Sequence, residues 1–337
     1  MIIDAHAHVL APPEVYAFKA TFLANRGGHG RLVPSISDAK LQEQIDIAVR
    51  LMDSVGTDIQ FISPRPYQLM HSEQPGWIVH HWVKIYNDII ARVVNLRPDR
   101  FRGVCGLPQA LGEDPKLWIP EMDRCINDLG FVGILLNPDP SEGRNSSPAL
   151  GDPYWYPVYK RMVELDVPAL VHSAACCAPR ESYSSHFITE ESIAILSVAK
   201  SRVFVDFPNL KLIIGHGGGS IPYQIGRWRA ERHHPRMGKE FLPLQESFDE
   251  TLRRFNFDTC LYSKESLELL FKICGPENCV FGTEKPGSGS AVDPGTGRDF
   301  DFIRPLIEEI PALTPEQRNM IFSENAMKLF SRFRPNA

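Results

Sequence analysis

The sequence predicts an α/β fold: a single (β/α)8 TIM barrel with loop insertions at its C-terminal face. Three observations carry that expectation. Short apolar runs alternate with helical patterns along the 337 residues, and there are eight such runs. The length suits one barrel of ~250 residues with insertions. An open dinucleotide-binding sheet would want a Gly-rich turn after an early strand, but residues 5–13 read AHAHVLAPP.

The elements follow in order. Ile2–His8 is the first strand, and Asp58–Ser63 is the second, after the amphipathic stretch Ala39–Val55. Phe101–Leu107 follows a helix over Trp77–Leu96, and Phe131–Leu136 follows one near Pro120–Leu129. Pro168–His172 comes after Tyr156–Leu165, and Leu210–Gly215 after Glu190–Phe204. Phe255–Thr259 is the seventh strand, and Asn278–Gly282 is the eighth, behind the helix Ser266–Ile273. Residues 10–37, 173–190 and 285–300 read as loop insertions. No interdomain linker is visible, so residues 1–337 are expected to form one domain.

Composition narrows the function classes. The net charge is −5 and no basic tract occurs, which argues against nucleic acid as a partner. No apolar run approaches the ~20 residues of a membrane span, and the N-terminus lacks the pattern of a signal peptide. Seven scattered cysteines fit reduced thiols and a cytoplasmic location. Proline outnumbers glycine, 28 to 24, as expected of stiff loops between well-formed elements.

Active sites of such barrels lie at the C-terminal ends of the strands. His6 and His8 end the first strand, and alternation lets both imidazoles face the same way. His172 ends strand five, His216 strand six and Glu284 strand eight. Each alone is weak evidence. Together, at corresponding strand ends, they read as ligands and acid/base groups of a metal centre, since one ion needs three or four ligands and an open position.

This pattern resembles the amidohydrolase superfamily, and HGGGSIPYQIGRWR at 216–229 is similar to the signature of its aminocarboxymuconate-semialdehyde decarboxylase-like branch. SPR at 63–65, NPDPSEG at 137–143, TEK around Glu284 and DPGTG at 293–297 resemble the 4-oxalomesaconate hydratase group within that branch. Many relatives carry Asp where Glu284 stands; the hydratases agree with Glu. The resemblance implies that His6, His8, His172 and Glu284 hold one divalent metal ion, Zn2+ foremost, with Mn2+ and Fe2+ also compatible with imidazole and carboxylate ligands. It implies that His216, with Glu284, does the acid/base work. The lysine that bridges two metals in binuclear relatives has no counterpart in 131–148.

Substrate contacts are expected from Arg65, Asn137, Tyr223 and Arg227. Arg65 could hold a carboxylate bidentately or form a surface ion pair. Asn137 is the polar candidate on strand four. Tyr223 could line the pocket or be a buried aromatic. Relatives place an arginine at the position of Arg227 across a dimer interface, which implies a homodimer or a higher homo-oligomer. His186 is expected to face solvent and Lys285 to form a wall. The resulting reading is a metal-dependent lyase that hydrates a conjugated double bond of an unsaturated oxo-polycarboxylate. The alternatives are a non-oxidative decarboxylase, a mononuclear hydrolase, or a barrel without catalysis.

Overall fold

The computed structural model describes residues 1–25, 33–241 and 245–335. Eight parallel strands stand in sequential order: β1 Ile3–His8, β2 Ile59–Ser63, β3 Phe101–Gly106, β4 Gly133–Leu136, β5 Ala169–Val171, β6 Leu212–Ile214, β7 Asn256–Asp258 and β8 Cys279–Val280. The backbone N–H of Ala5 donates to Phe281 O at 2.8 Å, and that of Glu284 to His6 O at 2.8 Å. These bonds join the last strand to the first, and the sheet is the expected barrel.

The helices are α1 Pro13–Ala24, α2 Asp38–Val55, α3 Trp77–Leu96, α4 Ile119–Asp123, α5 Tyr156–Leu165, α6 Tyr183–Ala199, α7 Val203–Asp206, α8 Ile225–His233, α9 Phe248–Leu252 and α10 Lys264–Cys274. Three short helical turns with Ile303–Glu308 complete the chain toward its C-terminal end. α2 shows how sequence sets these limits. Ser37 caps its N-terminus by accepting from Lys40 N, Gly56 ends it at φ 72°, and Leu41, Ile45, Ala48 and Met52 form the buried stripe.

Two expectations are corrected. Residues 10–37 are not a plain loop, because they contain α1, which starts at Pro13 with its fixed φ. Its apolar residues do not fall on one face, so periodicity gave no signal. Residues 173–190 are likewise not all loop. α6 starts at Tyr183, capped by Ser182, and ends at Ala199 rather than Phe204. Its first turn is polar, and an apolar pattern therefore detects only the second half. Near 120–129 the expected helix is α4 continued by a π turn over Arg124–Asp128.

Apolar strand residues divide by alternation between two packed clusters. Leu170 and Ile213 lie in one with Ile59, Phe61, Val280, Phe330 and Phe333. Ala169, Val171, Leu212 and Ile214 lie in the other, with helix residues such as Ile45, Trp82 and Ile195. β1 departs from strict alternation: its register against β2 shifts between Asp4 and Ala7. Asp4, fully buried, ties this strand to the end of β8, accepting from Thr283 Oγ1 at 2.6 Å, from Thr283 N at 3.1 Å and from Gln60 Nε2 at 3.1 Å. Burial pushes its carboxyl up to about 6 against these hydrogen bonds.

Candidate active site

The barrel brings together the five residues picked out from the strand ends. One ligand atom from each of His6, His8, His172 and Glu284 can be chosen so that all lie within 4.8 Å of one another, and all four residues are buried. The ring centroids of His6 lie 5.2 Å from His8, 4.9 Å from His172 and 5.6 Å from His216.

Each imidazole is held by its Nδ1. His6 meets Asp258 Oδ2 at 2.5 Å, His8 meets Ser63 Oγ at 2.9 Å, His172 donates to its neighbour's carbonyl, Ser173 O, at 2.6 Å, and His216 meets Glu191 at 2.8 and 3.0 Å. The Nε2 atoms of all four are buried without a hydrogen-bond partner among the described residues. A buried polar atom left unpaired is costly. Three of them, on His6, His8 and His172, beside the Glu284 carboxylate are what a divalent ion would satisfy, and a metal-binding histidine is ordinarily oriented in this way through its other nitrogen.

Glu284 faces two ways. Oε1 lies 3.5 Å from His8 Nε2 and 3.8 Å from His172 Nε2. Oε2 lies 3.8 Å from His216 Nε2 and accepts from Tyr262 Oη at 3.3 Å and Ser288 Oγ at 3.2 Å. Backbone turns aim these side chains: His216 has φ 48° and Glu284 φ 58°, both in the left-handed region. By alternation with Leu212 and Ile214, His216 would belong with the outward set; the turn over His216–Gly218 redirects it.

The electrostatics follow from burial and neighbours. Burial drives the His8 imidazole down to about 3, against the pull of Glu284, and leaves it neutral with a lone pair. Burial also lowers His172. At His6 burial opposes protonation, but the Asp258 carboxylate outweighs it and the imidazole is raised. His216 is raised well above its ordinary value for the same kind of reason, with burial overcome by the charge and hydrogen bond of Glu191 and by Glu284. Burial would raise Glu284, yet the imidazoles of His172, His216 and His8 around it hold it well below the usual carboxylate range.

The expected substrate residues are less gathered. Arg65 is half-buried, and its Nη2 donates to Pro286 O at 2.7 Å, beside the loop that follows Glu284. Asn137 is buried, and its side chain is engaged within the protein: its Nδ2 is 2.9 Å from His71 Nδ1 and 3.1 Å from Asp139 O, and its Oδ1 accepts from Asp139 N. Tyr223 is not buried; it is 78% exposed, and Arg227 on α8 is exposed as well. His186 corrects the expectation of a solvent position, being 1% exposed on α6.

Lys285 also differs from a simple wall. Its ammonium is buried and donates to Asp299 at 2.6 Å and Asp301 at 2.7 Å, pinning the 285–301 loop. Lys285→Met strands a fully buried carboxylate, and unfolding in urea is expected to show a loss of about 3 kcal/mol. A loss under about 1 kcal/mol, the value of a surface pair, would contradict the burial argument.

Sequence reasoning missed Glu191, Asp258 and Tyr262. Asp258 ends β7 as His172 follows β5, so its strand-end position was an available signal. Glu191 sits on a helix whose start was misplaced, and nothing local marked it. A cleft of about 540 Å3 lies away from these groups, between Met1, Asp58, Arg100 and Pro335.

A parallel barrel with an imidazole–carboxylate centre at its strand ends defines a class of barrel enzymes. The chain belongs to the amidohydrolase family, whose model matches residues 3–332. It is 36% identical over 340 residues to 2-keto-4-carboxy-3-hexenedioate hydratase of Sphingobium sp., covering 98% of this chain and 96% of that protein. The crystal structure of 4-oxalomesaconate hydratase from Rhodopseudomonas palustris superposes with a TM-score of 0.87 at 34% identity, covering 98% of this chain and 96% of that one. A dihydroxybenzoic acid decarboxylase from Polaromonas sp., solved with bound manganese and 2-nitroresorcinol, shares the fold with a TM-score of 0.73 at 23% identity, covering 99% of this chain and 97% of that one. Among the described residues, no helix is long and apolar enough to cross a membrane.

Proposed function

We propose that the chain, as one domain over residues 1–337, is a metal-dependent hydratase of 2-keto-4-carboxy-3-hexenedioate (4-oxalomesaconate) or a close analogue, acting in aromatic-compound degradation. The observation that carries the reading is the near full-length similarity to two proteins named as such hydratases. His6, His8, His172 and Glu284 would hold the ion; the unpartnered Nε2 atoms support that set. Zn2+ fits this mixture of donors, and Mn2+ also fits. When bound, the ion lowers the pKa of water and polarises an oxygen of the substrate.

The substrate's name fixes the rest of the chemistry. Its double bond is conjugated to the 2-keto group, so the carbon bearing the 4-carboxylate is electron-poor and receives OH. The neighbouring carbon receives H. One proton leaves the water and one returns to carbon, and no group departs. Glu284 Oε2 and His216 Nε2, 3.8 Å apart, would take and return that proton. Glu191 holds the imidazole for this task. The half-buried Arg65 suits one of the substrate carboxylates. Arg227 and Tyr223, exposed on and just before α8, support a homodimer in which a second copy covers them. The described cysteines are all free, which supports a cytoplasmic setting.

Incubation with 4-oxalomesaconate is expected to remove its conjugated absorbance without release of CO2. CO2 formation would instead establish a decarboxylase, and an unchanged spectrum would overturn the substrate assignment.

A further inference from the structure

Beside the barrel mouth lies a second group of ligand-type side chains that the proposed hydration does not use. Asp139, on the loop after β4, and His186 and Glu190, on α6, can each offer one ligand atom within 4.8 Å of the others. His186 is 1% exposed. Its Nδ1 meets Glu181 Oε2 at 2.6 Å, so the imidazole is oriented through that nitrogen. Its Nε2 is buried without a hydrogen-bond partner among the described residues and lies 3.8 Å from Asp139 Oδ2, too far for a hydrogen bond.

His6 and His216 at the barrel mouth are held in the same way: a carboxylate fixes one ring nitrogen and the other is left without a partner. Asp139 itself is fixed by Ser141 N at 3.0 Å and Gly143 N at 2.5 Å, which shapes the loop around it. A cleft of about 160 Å3, lined by Asp139, Glu190, Asn145 and Ser147 among others, gives an entry path and room for water.

We propose that Asp139, His186 and Glu190 form a second divalent-metal site, separate from the barrel-mouth centre, that ties the loop after β4 to α6. One imidazole and two carboxylates suit Zn2+ or Mn2+, with water completing the shell. The site is structural. Its ion would bridge the loop after β4 and α6, next to the contact in which Cys177 N, on the segment leading into α6, donates to Glu142 O at 2.8 Å, and it would steady the helix that carries Glu191. The inference does not depend on the hydratase assignment.

Equilibrium dialysis of the chelator-stripped full chain against Zn2+ tests it by counting ions per chain. The wild type is expected to bind two, and His8→Ala to bind one. His186→Asn is expected to keep the barrel-mouth ion and lose the other. Glu190→Gln, half-buried and harmless to folding, is expected to weaken the second ion by more than about tenfold, the loss that even an outer partner of a metal ligand can produce. Zn2+ should also raise the melting temperature of His8→Ala but not that of the His8→Ala/Glu190→Gln double variant. Should His186→Asn fail to fold, Glu190→Gln decides. Saturation of the wild type at one ion, or a second ion bound as tightly in Glu190→Gln as in the wild type, would overturn the proposal.

Discussion

Replacing His8 by alanine is expected to remove the barrel-mouth ion and the hydratase activity together, with kcat/KM reduced by more than about 10⁴-fold, the scale on which metal-activated water differs from bulk water. The reason lies in the electrostatics of the site. Burial keeps the His8 imidazole neutral, so its Nε2 offers a lone pair beside Glu284 Oε1. Chelator treatment of the wild type should reproduce the loss, and restored Zn2+ or Mn2+ should reverse it in the wild type only. Metal analysis beside the assay separates the outcomes. Full activity in the variant, with an ion still bound at the barrel mouth, would sink the assignment.

The second large effect is expected at His216. His216→Asn should lower kcat by about 10²–10⁴-fold while the ion stays bound, because a positioned proton-transfer group contributes on that scale. Loss of metal in this variant would move His216 into the ligand set. Glu191→Gln gives the sharper readout. The Glu191 carboxylate favours the imidazolium form of His216 and raises its pKa. Removing that charge lowers the pKa, so the limb of the pH–rate profile due to His216 should move to lower pH. A purely structural role for Glu191 would depress the rate without moving the limb.

The barrel and its centre were largely legible in sequence because both follow short-range rules. Strand alternation and the recurrence of apolar runs located all eight strands, and the strand ends located His6, His8, His172, His216 and Glu284. The groups that orient them were not legible, since a carboxylate such as Glu191 becomes a partner only when α6 packs against the turn after β6. α1 stayed hidden because its apolar residues mark no face. Tyr223 and Arg227 came from resemblance, and in a single chain both lie exposed.

The left-handed backbone at His216 and Glu284 has an evolutionary consequence. Such a conformation costs a side-chain-bearing residue about 1–3 kcal/mol, and glycine adopts it freely. Thermal tolerance and turnover therefore pull in opposite directions at these two positions. A laboratory selection that rewards heat resistance alone would drift toward glycine there and return a sturdier, inert barrel; to keep the chemistry, its screen must score product in every round.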